Sequence, residues 1–426
     1  MVRGILGAKP PNQRDGDVVI LPEHLESVMF ALPAPGGRLE NPGPPGAALE
    51  SQLVQWLSQA GLGEVNPFGP LNAAEDPHLS RYLIRHDVFR SIWQDSPAIV
   101  FAPAGGGKSA FRARLAYACR VEEDMRRVFA IPYLTPEPTT SLEAHLQGIL
   151  RSAAQELLLR LAYRPAQFER LEDAARAAVR QALDQNDPGL LAHFLPQLER
   201  AGSVQPLVET FDLSAAHLPA PADPAQVRAL CAALAKIPPA LQVPPVNRRF
   251  GDFLALLFDV LGFEAVYLLV DGVDAFPETI ANSAAAAAVL LPLLEQMPRW
   301  ADQKVFLKLF LPIELHRLLP EELTKPAKID KIEWTPELLV ELIHARLRAA
   351  TQGEFDSLDA VSAPSLRNAE AELLAEVPPL PREVLALLNQ VIVEHVRRVG
   401  PVGGLEPEDI RAARDWYQAE VRPSSP

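Results

Sequence analysis

Between Ala98 and Arg112 the chain reads Ala-Ile-Val-Phe-Ala-Pro-Ala-Gly-Gly-Gly-Lys-Ser-Ala-Phe-Arg. An apolar run breaks into three glycines and then opens a helical pattern, an order that favours a phosphate loop over its alternative, a Gly-rich turn that caps a surface helix. Ala98–Ala102 has the continuous apolar character of a strand buried on both faces. From Ser109 to Met125 the apolar Ala110, Leu115 and Ala118 recur at helical spacing among Arg112, Arg114 and Arg120. Successive glycines let backbone N–H groups turn inward as a concave anion nest, which bulky side chains would block. The start of the following helix adds its positive dipole end. Lys108 supplies a cation for β/γ-phosphates, and the Ser109 hydroxyl suits Mg²⁺. One position departs from the full phosphate-loop pattern, which has Gly where this chain has Ala102. Ala104, Gly105, Gly106, Gly107, Lys108, Ser109 and Ala110 are the candidate nucleotide contacts.

The remaining pattern places this joint in an α/β fold. Strand candidates are Ala98–Ala102, Val128–Leu134, Ala265–Val270, Val305–Leu311 and Lys328–Trp334. Helical patterns at Ser109–Met125 and Asn282–Gln296 fall between them, so the spacing predicts a parallel sheet covered on both faces. The gap between the second and third strands is too long for a single crossover. It carries helical patterns at Leu142–Leu161, Gln167–Leu183, Leu190–Leu198 and Ala225–Leu234, an insertion over about residues 141–246. Helices at Pro336–Ala350, Ala369–Ala375 and Pro381–Arg398 follow the last strand. Upstream, residues 31–48 are a Pro/Gly-rich linker. A helix at Leu49–Ala60 puts Leu53, Trp56 and Leu57 on one face, and a helical stretch at His78–Trp93 leads into the first strand. The expected organisation is an N-terminal segment (1–65), a nucleotide-binding core (66–335) and a C-terminal helical lid (336–426).

A second motif lies at Val266-Tyr267-Leu268-Leu269-Val270-Asp271-Gly272-Val273-Asp274. An apolar strand ending in Asp sets a carboxylate at the carboxyl edge of the sheet, where α/β folds bind ligands. Asp271 there can hold Mg²⁺ directly or through water. Asp274 is placed to position or deprotonate an attacking water. Capping of the next turn is the alternative for both carboxylates. For Asp271 the upstream glycine loop favours the metal reading, whereas for Asp274 the two stay balanced.

Composition excludes several classes. A net charge of −14 argues against a general polyanion-binding surface. Cys119 and Cys231 match no metal or disulfide spacing and read as buried small hydrophobes, which points to a reducing cytoplasm. His86, His145, His316, His344 and His395 show no metal-ligand spacing. The N-terminus lacks a signal-peptide core, and no apolar run is long enough to span a bilayer.

Gly105-Gly106-Gly107-Lys108-Ser109, Asp271-Gly272-Val273-Asp274 and the downstream helices resemble the AAA+/STAND group of P-loop NTPases. The chain is most similar to its bacterial Orc/Cdc6-like ATPases. Asn66-Pro67-Phe68, Arg81-Tyr82-Leu83, Lys308-Leu309-Phe310-Leu311-Pro312, Ile332-Glu333-Trp334 and Pro381-Arg382-Glu383-Val384-Leu385 add to the likeness. The resemblance implies a strand order of 5-1-4-3-2 followed by a helical lid. It implies that Arg382, opening a lid helix, touches the γ-phosphate, as a guanidinium fork binds phosphate bidentately. A solvated first-turn arginine is the alternative. It also implies an adenine pocket along Arg81–Phe89, with Tyr82, Ile84 or His86 against the base; a plain amphipathic helix is the equal alternative. Two departures stand out: Leu311-Pro312-Ile313 offers no polar sensor, with Glu314 just beyond, and Asp271-Gly272 replaces the usual Asp-Glu. Arg317 reads as a surface arginine rather than a finger for a neighbouring subunit.

These features point to an ATP/Mg²⁺-dependent switch, an ATPase of low turnover acting on a protein partner or on its own assembly. A DNA-associated initiator or loader is an alternative that the acidic charge disfavours, and a nucleotide-binding scaffold without turnover is another.

Overall fold

The structure, a computed structural model, describes residues 47–71, 76, 79, 86–134, 138–211, 213, 218–240 and 242–421. The 31–48 linker is thus almost entirely outside the described residues, as are residues 78 and 80–85 of the expected 78–93 helix, Tyr82 and Ile84 among them; in its described remainder Val88–Ile92 forms a short helix. Five strands, β1 (Ala98–Ala102), β2 (Val128–Leu134), β3 (Ala265–Asp271), β4 (Val305–Pro312) and β5 (Lys328–Lys331), form one sheet. All pairings are parallel, in the order β2-β3-β4-β1-β5. This is the expected 5-1-4-3-2 read from the other edge.

Every residue of β1, β3 and β4 is buried, which is why these runs are apolar without alternation. β5 is shorter than expected. It ends at Lys331, and as a mostly exposed edge strand it carries Lys328, Asp330 and Lys331 outward.

Successive side chains on each strand point to opposite faces and build two cores. Ile99, Phe101, Phe129, Ile131, Leu268, Leu309 and Leu311 pack with the helices between β2 and β3 and with Ser283–Asp302. That insertion therefore shares one continuous core with the sheet. Val100, Ala102, Tyr267, Leu269 and Phe310 face the helix Lys108–Val121 through Phe111, Leu115 and Cys119. In a third cluster Trp56 and Leu57 of Ala47–Gln59 join Leu339 and Ile343 of Pro336–Ala350 and Leu388 and Ile392 of Pro381–Val399. The first described helix is thus held by the last ones.

Several elements differ from the sequence pattern. The Gln167–Leu183 stretch is two helices, Pro165–Glu169 and Asp173–Asn186. The break is stabilised by Arg176, whose guanidinium donates to the Phe168 and Glu169 carbonyls at 3.4 and 2.6 Å and so satisfies the end of the short helix. Ser283–Asp302 runs past Pro292 and Pro298 because Leu293, Leu294, Met297 and Trp300 are buried along it. Helices Gln205–Thr210, Val246–Ala255 and Pro407–Trp416 were not expected.

Buried charge ties the layers together. Arg120 reaches Glu156 through Nε at 2.8 Å and Nη2 at 2.5 Å, with both side chains about 5% exposed. At the amino end of the sheet, the fully buried Lys308 donates to the Gln94 and Ser96 carbonyls, both at 2.7 Å, and lies 4.5 Å from the Tyr267 ring centre. Burial outweighs the attraction of Asp95 and pushes Lys308 down to about 7 from 10.5. A lysine depressed in this way binds fewer protons folded than unfolded from pH 7 up to 10.5, so stability rises as pH rises through that window. Between pH 7 and about 9 the wild type is expected to gain roughly 2 kcal/mol more than Lys308→Met. Urea unfolding at the two pH values measures it, and parallel curves would remove this role.

Candidate functional site

At the carboxyl edge of β1 the chain turns through Pro103-Ala104-Gly105-Gly106-Gly107 and enters the helix Lys108–Val121. Gly105 and Gly107 have φ of +76° and +92°, the left-handed region that disfavours side chains. A Cβ on Gly105 would lie 2.9 Å from the Arg382 Cβ. A Cβ on Gly106 would lie 3.0 Å from the Pro103 carbonyl oxygen and 3.1 Å from the Ala102 Cβ. Ala102, the departure from the glycine pattern, therefore fits because Gly106 leaves room for its methyl.

The site's cation lies across this loop. Lys108 Nζ donates to the carbonyls of Ala102 and Pro103 at 3.1 and 3.2 Å. Burial pushes Lys108 below its ordinary value, while Asp274 and Asp271 pull it back up and Arg382 adds to the depression. Lys108, Asp271, Asp274, Arg382 and Glu314 thus share one electrostatic neighbourhood. Ser109 and Ala110 sit half-buried in the first helical turn, and Ala104 is exposed at the loop tip.

Asp271 ends β3, where its register partner is Leu134 of β2. Its Oδ1 accepts the Gly272 N–H at 2.9 Å, and its Oδ2 accepts Arg112 Nε at 3.0 Å. The Arg112 and Asp271 side chains are each about 10% exposed. Asp274 follows in a turn closed by Ala275 N–H on the Gly272 carbonyl at 3.1 Å. Burial raises the Asp274 carboxyl and Lys108 opposes the rise, the direction a general base near neutral pH requires.

Arg382 is the second residue of Pro381–Val399, with Pro381 at the favoured first position. Its N–H donates to the Gly105 carbonyl at 3.3 Å, so this helix begins against the loop while the Arg382 side chain remains exposed. The chain leaving β5 adds a second clamp. Trp334 Nε1 donates to the Gly106 carbonyl at 2.9 Å, with its ring 3.7 Å from where a Gly107 Cβ would be.

Beside it, the His86 ring centre lies 5.7 Å from Phe111 and 6.2 Å from Trp334. His86 Nε2 donates to the Glu333 carbonyl at 3.0 Å while Nδ1 accepts the Val88 N–H at 3.3 Å. One aromatic wall therefore stands next to the glycine loop. Among the expected base contacts, only His86 is described.

The end of β4, Leu311 and Pro312, is buried and apolar. Glu314 and Arg317 are exposed on the turn Ile313–Arg317 that follows. Arg112 and Trp334 were missed as site residues. Arg112 carried a local signal, since it lies one helical turn beyond Lys108 on the same face.

The loop's chemistry suits a polyphosphate: a side chain at Gly105 or Gly106 would collide with Arg382 or with Ala102 and Pro103 and distort the turn, and Lys108 is bonded across it. The donors Ser109 and Asp271 suit Mg²⁺, which takes few protein ligands and keeps phosphate and water oxygens. Among the described residues no group of three or more His, Cys, Asp or Glu could hold a metal by itself. A separate depression of about 560 Å³ lies beside β2 between Tyr133, Gln147 and Arg151, away from the loop. Among the described residues no helix is long and apolar enough to cross a membrane. No protein-family model matches this sequence, and no curated protein or solved structure is significantly similar to it.

Proposed function

We propose that the chain binds ATP at residues 102–109 and acts as a slow nucleotide-dependent switch of the P-loop NTPase type. The observation that carries this reading is the glycine loop itself, with Gly105 and Gly107 at positive φ, Lys108 across it, and Arg382 and Trp334 bonded to its carbonyls. In the proposal Gly105, Gly106 and Gly107 with Ala104, Ser109 and Ala110 cradle the phosphates, Lys108 neutralises them, and Asp274 orients water. Bound Mg²⁺, which Ser109 and, once Arg112 releases it, Asp271 would hold, would neutralise phosphate charge. The Arg382 side chain, free to swing, would close on the terminal phosphate. Because the loop touches both Pro381–Val399 and the chain after β5, occupancy can bias how the C-terminal helices sit on the sheet. That movement is the proposed signal to a partner or to self-assembly.

Turnover is proposed to be low. β4 ends without a polar group and Arg112 occupies the Asp271 carboxylate. Phosphate release with Mg·ATP tests this: slow release that Asp274→Asn abolishes supports the switch, and background release with intact binding favours the scaffold. ATP-strengthened, salt-sensitive DNA retention would instead favour the initiator reading.

Trp334→Phe removes the indole N–H and deprives the carbonyl of the buried Gly106 of that donor. At about 1 kcal/mol for a hydrogen bond, nucleotide affinity should fall roughly fivefold. Titration with a fluorescent ATP analogue measures it, and unchanged affinity would free Trp334 of that role.

A further inference from the structure

Arg112 is a charged side chain that the proposed nucleotide chemistry does not use, yet it sits on the carboxylate that this chemistry would need. Arg112 and Asp271 are 8% and 7% exposed, so solvent and salt screen their 3.0 Å contact little. The same carboxylate receives the Gly272 N–H on its other oxygen, so each oxygen already has a donor. Magnesium is a hard cation that seeks oxygen with uncompensated negative charge and gives up its waters reluctantly. A carboxylate neutralised by a guanidinium attracts it far less. Helical geometry fixes the competitor in place, because Arg112 lies on the same helix as Lys108 and Ser109 and one turn behind them.

We infer that Arg112 is a built-in competitor of the divalent cation, holding Asp271 so that the site takes nucleotide with little help from Mg²⁺. The inference rests on the nucleotide-binding reading and adds a regulatory residue to that site. For Asp271 to serve Mg²⁺ fully, Arg112 must release it, and release is the step that would turn a binding site into a hydrolytic one.

The test compares the affinity of a fluorescent ATP analogue in excess Mg²⁺ with its affinity in EDTA, for the wild type and three variants. In the wild type the two affinities are expected to be similar. In Arg112→Met the ratio of the two should rise by about tenfold or more, the size of effect that groups behind a metal ligand exert. Arg112→Gln keeps an N–H for Asp271 without the charge, preserves the buried hydrogen bond, and should raise the ratio in the same direction. Arg112→Lys keeps the charge and should retain the wild-type ratio. Thermal unfolding establishes that each variant is folded. A ratio unchanged in both Arg112→Met and Arg112→Gln, with binding intact, would overturn the inference and leave the nucleotide reading standing. A wild type that binds the analogue in neither medium would overturn both.

Discussion

Lys108→Ala is expected to weaken ATP binding by about a hundredfold or more, as truncating one partner of a desolvated charged contact typically does. The side chain lies over the loop, bonded to the Ala102 and Pro103 carbonyls, where its ammonium can pass to a phosphate oxygen. Removing it deletes the cation fixed nearest the cradle and leaves Arg382 on an exposed side chain. The fold should survive, because Lys108 is only half-buried and the Pro103 carbonyl keeps the Gly106 N–H at 3.0 Å. Calorimetric titration with Mg·ATP gives the comparison. Equal affinities for wild type and Lys108→Ala would show that the glycine loop is a helix-capping turn and no phosphate site.

Glu156→Leu should carry the largest stability cost, about 3–5 kcal/mol, because it strands the buried Arg120 guanidinium without the carboxylate it pairs with. Glu156 holds Arg120 in one orientation, at the end of the helix Lys108–Val121 furthest from the loop. Burial and the carboxylate act oppositely on Arg120, and the carboxylate prevails, keeping the guanidinium firmly charged. Replacing both partners, Arg120→Met with Glu156→Leu, should recover most of the loss, since no unpaired charge is left. Urea unfolding of the four proteins completes the cycle. A loss below about 1 kcal/mol for Glu156→Leu would mean that the pair is exposed in solution.

The strands were the most legible part of the sequence. β1 and β2 have the expected bounds because each is a continuous apolar run, and Pro103 ends the first. β5 was overextended through Ile332 and Trp334, which are apolar for another reason: they pack against the loop and its neighbours. The helix Val246–Ala255 had its signal in Val246, Phe250, Phe253 and Leu254, but Arg248, Arg249 and Asp252 and the preceding prolines obscured it.

The glycine loop, Asp271 and the helix that begins at Pro381 were each readable as local patterns. Their mutual contacts were not. Arg112 meets Asp271 across 159 residues, and Trp334 meets Gly106 across 228, separations over which periodicity carries no information. The backbone bond between Arg382 and Gly105 depends on two cores docking together, so no local propensity encodes it.

Thermal unfolding of the wild type and Lys108→Ala over a series of Mg·ATP concentrations tests nucleotide binding at residues 102–109 most directly. At about a hundred times the dissociation constant, the wild type should gain roughly 2.7 kcal/mol in the transition that melts the sheet, rising with each further increment of nucleotide. Lys108→Ala should not respond. Identical behaviour of the two proteins, whether both shift or neither does, would contradict the assignment.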